Sequence, residues 1–339
     1  MNFKSGLAFV IGVAAGAIML ASSAAAETTD PIAAKVLALD TRRVEAWQKK
    51  DWASMKPMIS DDVYAFSVTT LPHDATGKAA FFEWAAHQDF PKTLVFKTFP
   101  QTDPDHLNNH SAWIIGADKS VAIVTGVLQD TTHPKDNGET YIALYYKKDT
   151  AWQLLRYIMT VNGKGAPYVG LTEPPPGPMS ASLDALSPEG KQVAAKLVVW
   201  HDSLARRVQK NFPTIFSDRS LFDRGDLGYT KERKSEGVLE TGQDYVAGKI
   251  ADPSGAPEVV GKANPVALVL GKSRDVVVLN DIRADATGGS SGWGIDYVPK
   301  WRNWMNEWTV WERKDPKSDD WRMTLWAGGQ YYPTATKPD

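Results

Sequence analysis

The chain has 339 residues with 38 Lys and Arg against 40 Asp and Glu, a formal net charge of -2, and no cysteine. So balanced a charge lacks the clustered basic surplus that nucleic acid demands. The missing thiols exclude disulfides, thiolate nucleophiles, Cys-ligated zinc and haem attached through Cys.

Lys4 precedes an apolar run from Gly6 to Ala21, and Ser23-Ala24-Ala25-Ala26 then places small residues ahead of Glu27. This layout is that of a cleavable export signal over residues 1–26, which predicts a periplasmic or secreted mature chain. The run is too short and too rich in Ala and Gly for a permanent anchor.

Beyond the signal, the order of elements occurs twice. Periodicity predicts an amphipathic helix from Lys35 to Lys50, with Val36, Leu39, Val44 and Trp47 on one stripe, and another from Lys196 to Asn211, with Leu197, Trp200, Leu204 and Val208. Each precedes an apolar segment closing on Ser60-Asp61 or Ser217-Asp218. Short helices are then expected at Ala79 to His87 and Asp244 to Ile250, opened by Gly77-Lys78 and Gly242-Gln243. Strand-like Val121 to Leu128 matches Val276 to Ile282, each after a turn at Gly116 or Gly271. The last hairpins, Tyr141 to Tyr157 and Trp308 to Trp326, match best. Between the halves, residues 162–186 hold Pro174-Pro175-Pro176 and read as a linker. Helices followed by antiparallel strands predict an α+β fold of two tandem domains, residues 31–161 and 187–332; one sheet spanning both halves is the alternative.

Asp51-Trp52, Met58-Ile59-Ser60-Asp61-Asp62, Gly77-Lys78 and the closing Trp152-Gln-Leu-Leu-Arg-Tyr157 follow the first helix. In this each half resembles the nuclear-transport-factor-two-like superfamily, with its SnoaL-like and ketosteroid-isomerase-like members. The resemblance implies a cone: a curved antiparallel sheet wrapped on N-terminal helices around an apolar pocket. It also implies lyases, dehydratases or isomerases that need no cofactor, and proteins that only bind or dimerise. Sheet-to-sheet pairing in such proteins implies an intramolecular pseudo-dimer or a homodimer.

Cofactor-free proton transfer needs a base tuned by a dry pocket and a donor aimed at the developing oxyanion. Asp40 and Arg43 lie beside the apolar stripe of the first helix, where a charge is costly unless paired; an exposed i,i+3 ion pair is the plainer alternative. Setting Lys35 against Lys196 brings Asp40 opposite His201, which has Trp200 and Asp202 as neighbours; a merely packed His is the alternative there. Strand alternation sends Arg156 and Tyr157 to opposite faces and gives Asp281 and Arg283 one face. Tyr64, Tyr141 and Tyr145 are candidate oxyanion donors, though Tyr in a strand is commonly core. The candidate catalytic set is therefore Asp40, His201, Arg43, Tyr64, Tyr157, Asp281 and Arg283. Trp47, Tyr141 and Trp200 are the candidate ligand contacts within the cones.

The second half is longer before its final hairpin, by a Gly-rich segment with Trp293, Tyr297, Trp301 and Trp304. These aromatics predict a lid over an apolar, aromatic ligand, or else a cover for the seam between domains. His106 and His110 are spaced i,i+4, but Leu107 stands where a zinc protease has Glu, so no metal site is assigned, and no cofactor. The expected function is an exported lyase, dehydratase or isomerase of an apolar small molecule; a binding or docking protein is the alternative.

Overall fold

A computed structural model describes residues 30–67, 74–88, 94–101, 107, 109–132, 138–162, 186–205, 209–223, 239–241, 259–285 and 303–330. Asp244 to Ile250 and the Pro-rich stretch lie outside these.

Helix α1 spans Pro31–Gln48. Proline at its first position needs no amide donor, and the Asp30 carboxylate accepts the Ile32 N–H at 2.8 Å. A short α2 (Trp52–Met55) and a 3-10 turn (Lys56–Met58) lead into β1 (Ile59–Ser67) and β2 (Asp74–Thr76). Helix α3 (Lys78–His87) then precedes β3 (Leu94–Phe96), β4 (Ser111–Ile115), β5 (Val121–Asp130), β6 (Gly138–Lys148) and β7 (Ala151–Asn162). The second half runs α4 (Pro188–Ala205), β8 (Phe216–Asp223), β9 (Leu239–Thr241), β10 (Val259–Leu270), β11 (Val276–Asp285), β12 (Asn303–Glu312) and β13 (Arg322–Gln330).

The strands form two separate sheets, not one. The first is ordered β2-β1-β7-β6-β5-β3, with β4 also on β5, and the second β9-β8-β13-β12-β11-β10. Each joins its first long strand parallel to its last, β1 to β7 and β8 to β13, within an otherwise antiparallel ladder. Both parallel pairs carry a register shift, between Ile59 and Tyr64 and between Met323 and Leu325. The architecture is α+β, with one topology built twice on two curved sheets.

Several expected boundaries move, and helix α1 begins at Pro31 rather than Lys35. Helix α4 begins at Pro188 rather than Lys196, because Ser187 accepts the Gly190 and Lys191 amides through its hydroxyl and carbonyl. It ends by Ala205, before a separate 3-10 segment, Gln209–Thr214, containing Pro213. Trp304, expected in the lid segment, belongs to β12 and pairs with Ala284.

Alternation in the strands divides each sheet into two buried faces. One face packs on its own helices: Val124, Tyr141, Ala143 and Tyr157 with Val36 and Trp47 in the first unit, Val277, Leu279 and Trp311 with Leu197 and Trp200 in the second. The other faces meet each other, Ile123, Ile142, Leu144 and Ile158 against Val276, Val278, Val310 and Leu325. Each such Val, Ile or Leu contributes roughly 1.5–3 kcal/mol on burial. The halves thus form an intramolecular pseudo-dimer.

Matched turns clasp reciprocally. The Ala117 amide donates to Asp275 Oδ2 at 2.6 Å, and the Lys272 amide to Asp118 Oδ2 at 2.8 Å. Gly116 and Gly271 hold φ of 81° and 80°, and Lys119 and Arg274, each three residues on, hold 52° and 53°. The left-handed conformation repeats position for position because both turns serve one pseudo-twofold contact.

Candidate functional site

On β6, Glu139, Tyr141, Ala143 and Tyr145 alternate onto the helix-facing side. The small Ala143 separates two phenols, and Asp40 of α1 reaches the sheet between them. Tyr141 Oη donates to Asp40 Oδ2 and Tyr145 Oη to Oδ1, both at 2.5 Å. Arg43, one turn along the helix, donates from Nε to Asp40 Oδ1 at 2.8 Å. His110, just before β4, places Nε2 3.1 Å from Oδ2. Asp40 and Arg43 are wholly buried, so the exposed ion pair is ruled out by burial.

Burial alone would raise the Asp40 pKa. The Arg43 guanidinium, His110 and the Tyr141 hydroxyl outweigh it and hold the carboxyl well below the usual range. Burial and the Asp40 charge push both phenols upward, so they stay protonated donors. The Arg43 guanidinium carbon lies 4.8, 5.4 and 5.8 Å from the Tyr157, Tyr141 and Trp47 ring centres. Among the described residues its two terminal nitrogens have no hydrogen-bond acceptor, and the guanidinium lies over ring faces instead. Tyr157 donates its hydroxyl to Glu139, whose acid burial pushes up to about 8.

One group of this cluster reaches solvent. The His110 side chain is 16 % exposed, whereas Asp40 and Arg43 are at 0 %. Its ring stacks on Phe96 at 3.9 Å with an interplanar angle of 11°. Nδ1 makes no hydrogen bond with the described residues, so a lone pair or proton is available there. Asn109 holds the preceding segment by bonding both the amide and the carbonyl of Phe99, at 2.6 and 2.9 Å. In the sequence His110 pairs by spacing only with His106, which lies outside the described residues. Its approach to Asp40 spans 70 positions and leaves no local signature.

The second unit holds a differently composed cluster at the matching place. Ladder registers set Tyr141 opposite Gly126 in the first unit and Glu307 opposite Asp281 in the second. His201 Nε2 lies 3.1 Å from Glu307 Oε1, and Trp326 Nε1 donates to Glu307 Oε2 at 2.5 Å. Asp40 meets the strand at Tyr141 and His201 at Glu307, so the alignment of Asp40 with His201 agrees with the sheet registers. Gly126 is needed where it stands, since a Cβ there would lie 2.7 Å from the Tyr141 hydroxyl. Asp281 and Glu307 are both buried, two carboxylates side by side next to an imidazole.

Trp47 and Trp200 are core. Trp47 packs edge-on against Phe81 and Trp84 and donates to the Ala85 carbonyl; Trp200 packs against Trp326 and Phe216. Tyr64 is not brought to Asp40: it lies in the core between the sheets, where Asn306 of the other unit donates to its hydroxyl. Arg156 faces that seam too, bonding Asn280 Oδ1 at 2.9 Å. Arg283 is placed on β11 and Trp304 on β12 by backbone alone, and Trp293, Tyr297 and Trp301 lie outside the described residues.

No protein-family model and no curated protein matches the chain. Similar solved structures include an NTF2-like protein of Pseudomonas putida KT2440, 15% identical, covering 44% of this chain and 96% of that one, with a TM-score of 0.30. A ketosteroid isomerase-like protein of Erwinia carotovora atroseptica SCRI1043 is 14% identical over 37% of this chain and 91% of its own, with a TM-score of 0.28. The S. rosetta CaMKII hub is 18% identical over 39% and 98%, with a TM-score of 0.29.

Proposed function

We propose that the first unit is a cofactor-independent acid-base site, of the isomerase or lyase type, in which His110 moves the proton and Asp40 orients it. The carrying observation is the His110–Asp40 contact: one ring nitrogen faces a buried, ionised carboxylate at 3.1 Å, while the other makes no hydrogen bond among the described residues and the side chain as a whole is 16 % exposed. A carboxylate with so depressed a pKa and four donors around it is a weak base, so Asp40 has the positioning role. Tyr141 and Tyr145 spend their donors on Asp40 and fix it against the sheet. His110 Nδ1 takes a proton from a carbon made acidic by an adjacent carbonyl. Returning it to another carbon isomerises the substrate; losing a leaving group from the neighbouring carbon makes the reaction an elimination.

The apolar Phe96 ring beside His110 favours an apolar, flat substrate. We further propose that the mature chain acts outside the cytoplasm, following its N-terminal signal pattern. The second reading is a ligand-binding or docking protein, and its docking form is favoured by the interior of the first unit, which Trp47, Phe81, Trp84 and Tyr157 fill themselves.

The test is deuterium uptake from D2O into a panel of aryl ketones and β-hydroxy ketones, followed by mass spectrometry. Exchange by the parental chain, lost in His110→Ala and reduced in Asp40→Asn with the fold intact by circular dichroism, supports the acid-base reading. Saturable binding of the same ketones without exchange supports the second reading instead.

A further inference from the structure

Where the core between the sheets opens at one edge, the two units leave a groove of about 770 Å³. That is the size of a small-molecule site. Its floor is apolar: Trp113 and its cross-strand partner Ile123 come from the first unit, Phe216 and Leu221 from the second. Trp113 is half-buried, presenting part of a large flat ring.

Charge on the rim is one-sided. The Asp320 carboxylate is taken by Arg322, at 2.8 and 3.0 Å. Asp30, Glu312 and Asp315 remain, against Lys314 alone. Glu312 accepts the Gly116 amide and Asp315 the Lys317 amide, neutral donors that leave the charge uncompensated. Of these three only Asp30 has an ion-pair partner among the described residues, Lys119 at 4.0 Å. A second observation points independently to a ligand. Thr324 lines the same groove, is 5 % exposed, and its hydroxyl has no hydrogen-bond partner among the described residues. Native chains rarely leave a buried hydroxyl so, unless a bound molecule or water completes it.

We propose that this groove binds a cationic amphiphile: a small molecule with a flat apolar body laid on Trp113 and Leu221, and an amine head among Asp30, Glu312 and Asp315. The site is built from both units, which gives the tandem arrangement a binding role that one unit alone cannot supply. It is distinct from the His110 site and does not depend on it.

The test is calorimetric titration of the signal-free chain with naphthylmethylamine, using naphthylmethanol and naphthoate as neutral and anionic controls. The amine is expected to bind about fivefold more tightly than the alcohol, with the naphthoate weakest and the preference fading in high salt. Trp113→Ala weakens the amine about tenfold, and Asp315→Asn, at an exposed position that cannot upset the core, narrows the gap between amine and alcohol. His110→Ala leaves amine binding unchanged. Absence of amine binding, equal binding of naphthoate, parental affinity in both groove variants, or loss of binding in His110→Ala would each overturn the proposal.

Discussion

Replacing Asp40 by Asn keeps the shape of the side chain and removes its charge. In the native chain that charge faces Arg43 at 2.8 Å, with both residues wholly shielded from water. The variant leaves Arg43 as a buried cation without its counter-ion, a loss of about 3–5 kcal/mol. Its new amide NH2 also confronts donors from Tyr141, Tyr145 or Arg43, so at least one of their bonds is lost as well. Cation-π contacts with Trp47, Tyr141 and Tyr157 do not make up the difference, at about 1–2 kcal/mol even when desolvated. Because the folded Asp40 pKa is depressed, the stabilisation is present above the unfolded value of 3.8 and is lost only as pH falls below it. Urea unfolding at pH 7, followed by circular dichroism, should show a lower midpoint for Asp40→Asn with the slope retained, and the gap should begin to narrow only below about pH 3.8. A midpoint within experimental error of the parental one at pH 7 would refute the buried, charge-paired description of this helix.

Glu139 has the opposite sign. Its folded pKa of about 8 lies above the usual 4.5, so its contribution is complete below about pH 4.5 and is lost as pH rises through 8; Glu139→Gln should flatten the stability profile across that window, measured by thermal melts at stepped pH. Gly126→Ala puts a methyl 2.7 Å from the Tyr141 hydroxyl and should cost about 1–3 kcal/mol, with a Tyr141 ring resonance displaced in NMR spectra. Removing the acceptors of the reciprocal clasp, Asp118→Ala and Asp275→Ala, should each lower unfolding free energy by about 1 kcal/mol or more, with the buried Asp275 the costlier of the two.

The duplicated topology was legible because it is written in local pattern. Strand alternation, Gly116 and Gly271 at matched turns, and the two closing hairpins depend only on near neighbours. Asp40 and Arg43 stood out for the same reason, as charges beside an apolar helical stripe. Helix starts were misplaced because Asp30-Pro31 and Ser187-Pro188, which form both caps, lie outside the periodic stripe that located the helices. Seating Tyr64 and Arg156 at the seam needed the knowledge of which sheet face meets the other unit, and alternation alone gives two faces without naming them. His110 and Glu307 were missed for a further reason: each becomes part of a cluster only when a strand or its approach is laid against a helix 70 or 106 residues away, at Asp40 and His201 respectively.

The tautomer of His110 tests the central claim most directly. In a ¹⁵N-labelled chain at neutral pH, long-range ¹H–¹⁵N spectra should place the proton on Nε2, where the Asp40 carboxylate accepts it, and leave Nδ1 as the unprotonated, basic nitrogen. A proton on Nδ1 with Nε2 bare, or a tautomer unaffected by Asp40→Asn, would contradict the assignment of His110 as an Asp40-oriented base.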